Sequence, residues 1–511
     1  MNLKINRETL SVSENIYDGV QEQNTELDYI LPDYYPDIFK LIKCGISPSV
    51  TSYSINGDTL DYDITADVRI LYWAENDSSL HCISQRLNYS KSVNIGTVSE
   101  PDVTIVPKSD HINCRVVNKR RIDMRGAVSI KIKVTGESKQ EAVCDISGMN
   151  VQVRKMPVEY MSQKITCEKT LTLNDETELA SSKPAIADII RTETELSDTE
   201  SKIIAGKLVV KGEAAIKLLY TSGESAETMS FTIPYSQIAD MEGLDENFRF
   251  NVRVTAVYCD ITPSADSNGE NKKLKYEIKL HIKCCAYKTI PLSLVSDIYS
   301  TSYPCEYASA KLWIDQPPET INEHIQNKAV LETDENSIAG VYDVWCSAKN
   351  INITPDAENT KIKISGMLCY QAMIKNENNI PSVIEKDQAF EYEFDSEGIT
   401  ENSTAEIYVS GISCSYTLND SDSISVKADI NIKGELYTAS NFNAVTDVSI
   451  DDTVKITRDG DYAIKLYYGV KDEQVWNIAK KYSTSVNAIM EENSLESESL
   501  SENGMLLIPI V

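Results

Sequence analysis

Tyr62-Asp-Ile-Thr-Ala-Asp-Val-Arg-Ile-Leu-Tyr72 places Ile64, Ala66, Val68, Ile70 and Tyr72 on one face of an extended chain, and Asp63, Thr65, Asp67 and Arg69 on the other. Alternation with a period of two marks a strand with one buried side, so the segment predicts an antiparallel sheet resting on a core. The same figure returns at 206–220, where Leu208, Val210, Ala214, Ile216, Leu218 and Tyr220 alternate with Lys207, Lys211, Glu213 and Lys217. It returns again at 361–374 with Ile362, Ile364, Leu368, Tyr370, Ala372 and Ile374. A repeat of about 150 residues is a domain period, much too long for a solenoid.

The surroundings repeat as well. Each copy leads through a polar turn (75–78, 222–225, 375–378) into a short segment holding Tyr89, Tyr235 or Tyr392. Two further alternating runs close each unit: 112–116 with 128–134, 252–258 with 276–282, and 407–414 with 424–436. Ahead of the first strands stand Pro36-Asp-Ile-Phe-Lys-Leu-Ile, Pro184-Ala-Ile-Ala-Asp-Ile-Ile and Ser337-Ile-Ala-Gly-Val-Tyr. The fold class expected is mainly β, with three tandem antiparallel β-sandwich-like repeat domains at 1–155, 156–290 and 291–440. The joints fall near Met156-Pro157 and Ile290-Pro291, and the polar, Asp-rich segment 441–460 reads as a linker.

After it comes Ile464-Lys-Leu-Tyr-Tyr-Gly-Val-Lys-Asp-Glu-Gln-Val-Trp-Asn-Ile-Ala-Lys-Lys-Tyr482. A short alternation (Ile464, Leu466, Tyr468) runs into a helix with Val475, Ile478, Ala479 and Tyr482 at helical spacing. Ser483-Thr-Ser485 offers an N-cap for a second helix bearing Val486, Ile489 and Met490, and a short apolar strand ends at Pro509. Residues 461–511 therefore form a small β-α-α-β module, near the lower size limit for an independent core.

Composition narrows the function. With 78 Asp+Glu against 49 Lys+Arg the net charge is −29, which opposes phosphate backbones and anionic lipid and excludes nucleic acid as a main partner. Met1 to Leu10 contains no apolar core or small-residue cleavage site, and no apolar run approaches the roughly 20 residues that span a bilayer, so the protein is expected to stay in the compartment that makes it. Twelve cysteines are scattered without a C-x-x-C pair, the pattern of reduced thiols rather than of a disulfide scaffold. The four histidines fall in separate regions, and no phosphate loop, nucleophile elbow or zinc-protease motif is present. Cys284 and Cys285, adjacent on a strand, point to opposite faces and cannot share a metal. No enzymatic activity, cofactor or metal is expected.

The terminal segment resembles a LysM module. Tyr467, Val475, Trp476, Ile478, Ala479, Tyr482, Ile489, Asn493, Leu500, Gly504, Leu507, Ile508 and Pro509 match the pattern of that family. It departs where Asp472-Glu473-Gln474 replaces the Gly-Asp-Thr turn that, in LysM modules, lines the groove for N-acetylglucosamine chains. With Leu31-Pro-Asp-Tyr-Tyr-Pro-Asp-Ile-Phe39 and the threefold repeat, the chain resembles the SPOCS-repeat proteins of spore-forming clostridia. The resemblance implies a spore-coat morphogenetic adaptor in the mother-cell cytoplasm, at the forespore surface. Its partners would be the coat's basal-layer ATPase, SpoIVA, and other coat proteins, met mainly through the LysM domain. The alternative is a peptidoglycan-binding protein, accessory to cell-wall or cortex processing. Ile464, Tyr467 and Trp476 are the candidate partner-binding residues: Ile464 begins a strand of a tiny sheet, and Trp476 stands at the first helical turn, where an aromatic is often half exposed.

Overall fold

The computed structural model describes residues 3–75, 79–222, 225–333, 338–378, 380–396, 398–420, 422–457 and 463–510. The turns expected at 76–78 and 223–224, together with Ser337, Asp461 and the last residues of the expected linker, lie outside the described residues.

Each of the three alternating segments is the middle strand of an antiparallel meander. β3 (Thr59–Ala74) lies between β2 (Ile38–Asn56) and β4 (Leu80–Asn94). β9 (Lys207–Thr221) lies between β8 (Asp188–Ile204) and β10 (Ala226–Asp240), and β16 (Lys361–Asn376) between β15 (Ile338–Asp356) and β17 (Pro381–Asp395). A second sheet covers the apolar face of each. In the first unit it is β1 (Lys4–Ile30), β6 (Arg121–Ser147) and β5 (Asp102–Asn118), with β6 in the middle. In the second it is β7 (Val151–Glu178), β12 (Lys273–Ser300) and β11 (Arg249–Ser264), with β12 in the middle. In the third, β19 (Ser423–Tyr437) runs between β14 (Glu319–Glu332) and β18 (Thr404–Asp420). The structure is thus mainly β, with every ladder antiparallel, and each unit encloses its own apolar core.

In the first two units the segment ahead of the alternating strand serves a buried tyrosine. Tyr72 and Tyr220 are fully buried, and their hydroxyls donate to the carbonyls of Pro36 at 3.2 Å and Pro184 at 3.4 Å. A buried phenol needs an acceptor, and a loop carbonyl with no ladder partner supplies one. In the third unit the hydroxyl of Tyr370 donates instead to Asn327 Oδ1 at 3.1 Å.

The strands that pair at the centre of each second sheet run on past the sandwich as two-stranded ribbons. β1 and β6 remain paired to Lys4 and Ser147, and β7 and β12 to Val151 and Ser300. β12 runs unbroken through Ile290-Pro291, and the position 155/156 lies inside β7. In the third unit Pro317 and Pro318, which cannot donate to a ladder, separate β14 from β13 (Cys305–Asp315), and β13 pairs with β20 (Ala439–Ile450). Ordered strand therefore reaches to Ile450, inside the segment expected as linker.

The three ribbons pack against one another as a stem. Val143, Val295 and Val445, one from each, are fully buried together with Ile146, Ile298 and Val448. Such side chains each contribute roughly 1.5–3 kcal/mol on leaving water. The units also touch elsewhere: Asp343, 5% exposed, receives Lys217 at 2.6 Å and Arg191 at 3.4 Å from the second unit. Asp102 of the first unit takes Lys164 and Lys283 of the second, and Lys133 pairs with Glu406 of the third. Both partners are present in each of these half-buried pairs, so removing either would strand a charge.

Candidate functional site: the terminal module and its seat

The module consists of β21 (Ile464–Gly469), α1 (Val475–Lys481), α2 (Val486–Glu492) and β22 (Gly504–Pro509). The helices cover one face of the β21–β22 sheet around Val475, Ile478, Ala479, Val486, Ile489, Leu506 and Ile508. Ser485 caps α2 by accepting the amide of Ala488 at 3.1 Å. Asn493 joins α2 to β22: its amide donates to the carbonyls of Ile489 and Leu507, and its oxygen accepts the Leu507 amide at 2.7 Å.

Asp472 sits at φ +68°, the left-handed region that suits glycine and that aspartate tolerates. The turn therefore takes a backbone form that glycine would suit and carries a carboxylate there. Glu473 is drawn inward, accepting Tyr467 Oη at 2.6 Å and the Val470 amide at 3.1 Å. The hydrogen bond to Glu473 raises the phenol of Tyr467 above its ordinary value. The turn is then stitched to the segment before β22 by Asp472 N to Leu500 O, Leu500 N to Glu473 O, and Val475 N to Glu498 O.

The three candidate residues go to three different places. Ile464 is 45% exposed, on the sheet face turned away from the helices. Leu466 and Tyr468 share that face at 67% and 61%, and their cross-strand neighbours are Leu507 and Met505; Pro509 stands opposite Ile464. Tyr467, of opposite parity, is half-buried and holds the turn. Trp476 is not half exposed: it is 4% exposed, packed edge-on to Tyr299 of β12 with ring centroids 5.0 Å apart, and its indole N–H donates to Asp297 Oδ2 at 2.7 Å.

Asp297, Tyr299 and Tyr307 form the seat. Lys480 Nζ donates to Asp297 Oδ1 at 2.5 Å and to Tyr307 Oη at 3.3 Å. Tyr299 is buried in the module's own core, and its hydroxyl donates to the carbonyl of Thr484 at 2.7 Å. Burial pulls the Asp297 carboxyl up, but the hydrogen bonds from Lys480, Trp476 and Tyr307 outweigh it and leave the group below the ordinary carboxylate range. Burial pulls Lys480 down, and its bonds to Asp297 and Tyr307 leave it above its ordinary value. Asp297 lies at a register shift in the β7–β12 pairing, between Val295 and Asp297, where a bulge redirects a side chain.

Leu466 and Tyr468 were legible as part of the same alternation as Ile464, whereas Met505, on the other strand, joins them only through the β21–β22 pairing. Asp297 and Tyr299 carried no sequence signal, being separated from Trp476 by 179 residues in the case of Asp297.

Elsewhere His81 bridges Ser79 Oγ at 2.7 Å and Asp188 Oδ2 at 3.3 Å. The order resembles acyl-transfer machinery, but Ser79 is buried and the imidazole is stacked on Tyr72 at 5.6 Å, so the trio serves as a seam between the first and second units. Among the described residues no group of His, Cys, Asp and Glu is placed to hold a metal ion, and no helix is long and apolar enough to cross a membrane.

Comparison with known families finds two matching segments. Residues 185–263, within the second unit, match the family model described as SipL, SPOCS domain, and residues 470–509 match the LysM domain. No curated protein matches, and no solved structure does.

Proposed function

We propose that this chain, which carries a SipL-type SPOCS domain and a C-terminal LysM domain, is a non-enzymatic spore-coat morphogenetic adaptor. It works in the mother-cell cytoplasm at the forespore surface and tethers the coat by binding its basal-layer ATPase, SpoIVA, chiefly through the LysM module. Three SPOCS-like units, joined through the stem, support encasement. The observation that carries the reading is the outward face of β21–β22, where Ile464, Leu466 and Tyr468 stand beside Met505, Leu507 and Pro509. Apolar side chains gathered on an exposed face suit a protein surface better than a hydrated sugar chain. The filled turn at Asp472–Gln474 supports the same choice. The LysM match supports the second reading, binding of peptidoglycan, and one experiment separates the two.

Full-length chain is offered to the purified coat ATPase and, separately, to sedimenting peptidoglycan, alongside Ile464→Glu. The expected result is capture by the ATPase, weakened at least tenfold by Ile464→Glu, a loss of about 1.4 kcal/mol or more. Sedimentation with peptidoglycan without capture by the ATPase overturns the adaptor reading in favour of the glycan one.

A further inference from the structure

We infer that Asp297 and Tyr299, at the end of β12, are an internal receptor for the module, and that Trp476 is a positioning residue: it holds the module on the stem so that the β21–β22 face points outward. Every group of this contact is accounted for within the chain. The indole N–H of Trp476 and the ammonium of Lys480 take one oxygen each of Asp297, at 2.7 and 2.5 Å. Tyr299 fills the module's core from outside and closes the contact by donating to Thr484 O at 2.7 Å. With its ring buried and its only polar atom occupied, Trp476 has no free surface to offer a partner.

The seat uses α1 and the turn after it. The helices lie on one side of the β21–β22 sheet, so seating α1 on β12 leaves the other side of the sheet, with Ile464, Leu466 and Tyr468, facing away from the contact. On the stem side Arg154 of β7 also reaches Gln474 Oε1, at 3.5 Å, which places part of the substituted turn against the chain itself. The seat therefore leaves the module's apolar face pointing away from the stem. What that face meets rests on the adaptor reading; the seat does not.

The test is hydrogen exchange by mass spectrometry on the full chain, comparing wild type, Asp297→Ala, Asp297→Asn and Ile464→Glu, followed by capture on the coat ATPase. Asp297→Ala is expected to speed exchange at least tenfold in 292–300 and 475–484, with β21 and β22 unchanged. Asp297→Asn keeps an acceptor for the indole but loses the charge, and falls between Asp297→Ala and wild type. Ile464→Glu leaves both segments at the wild-type rate. Unchanged exchange in Asp297→Ala overturns the seat, and loss of protection throughout the module, in Asp297→Asn as well, makes Asp297 a folding residue instead. Capture is expected to fall at least fivefold in Asp297→Ala; faster exchange with undiminished capture overturns the positioning role. If wild type itself is not captured, the adaptor reading fails while the exchange data still judge the seat.

Discussion

Asp472 adopts a backbone conformation that most side chains avoid, and nothing in its surroundings compels a carboxylate there. Asp472→Ala is expected to destabilise the module by about 1 kcal/mol, because a β-carbon without a local polar group is poorly tolerated at positive φ, whereas Asp472→Gly should not. Exchange protection of α1 and β22 measures both. Ile464 and Trp476 give the sharper contrast. Ile464→Glu changes an exposed side chain and should alter stability by no more than about 0.5 kcal/mol, while Trp476→Ala should cost roughly 3–5 kcal/mol. A loss of partner capture in Trp476→Ala is therefore a loss of seating and folding until the exchange pattern says otherwise. A Trp476→Ala chain as stable as wild type would contradict the buried contact with Tyr299.

At the scale of strands, Asp315 ends β13 at 9% exposure and accepts the Ser13 amide of β1 at 2.6 Å. Burial raises its carboxyl above the ordinary range, only partly offset by that hydrogen bond. A folded-state value above the unfolded one favours folding below the ordinary carboxylate range, and the advantage is lost as pH rises through the raised value. Near neutral pH the ionised group is a liability. Asp315→Asn, which retains an acceptor for Ser13, should raise the melting temperature near neutrality, and the gain should vanish in acid. Asp297 has the opposite sign: its folded-state value is lowered, so its contribution is present above the ordinary carboxylate range and lost as pH falls through the lowered value. Exchange of 475–484 should accelerate in acid before the sandwich cores open, and a chain whose module stays seated until the cores melt would count against that account.

For the whole molecule, the second unit offers a test of how far the repeats are independent. A fragment of residues 156–290 contains most of both sheets around Leu208, Val210, Ile216, Leu280 and Ile282, but lacks the end of its ribbon at 291–300. It should give β-type circular dichroism and a cooperative melt, at a lower temperature than a 151–300 fragment. A disordered 156–290 fragment would mean that the stem is required for each sandwich to form. All twelve cysteines are free, and burial raises the thiols of Cys82 and Cys284 to about 12. Thiol counting on denatured protein should find close to all twelve reactive, and protected pairs would contradict it.

Period-two alternation of Ile64 to Tyr72, and its return near Val210 and Ile364, determined without coordinates that the chain is built from antiparallel strands in three similar units, because which face a strand residue occupies follows from its parity alone. Helical spacing from Val475 to Tyr482 and a cap at Ser485 determined the helices of the module in the same local way. Parity also says that Ile464, Leu466 and Tyr468 share a face, but not whether that face is covered. That was decided by the seating of α1 on β12, and with it the fate of Trp476. The ribbons that pass the expected joints and meet at Val143, Val295 and Val445 were equally out of reach. Such contacts join residues far apart in the chain, and their energy comes from surfaces that become neighbours only once the sandwiches exist.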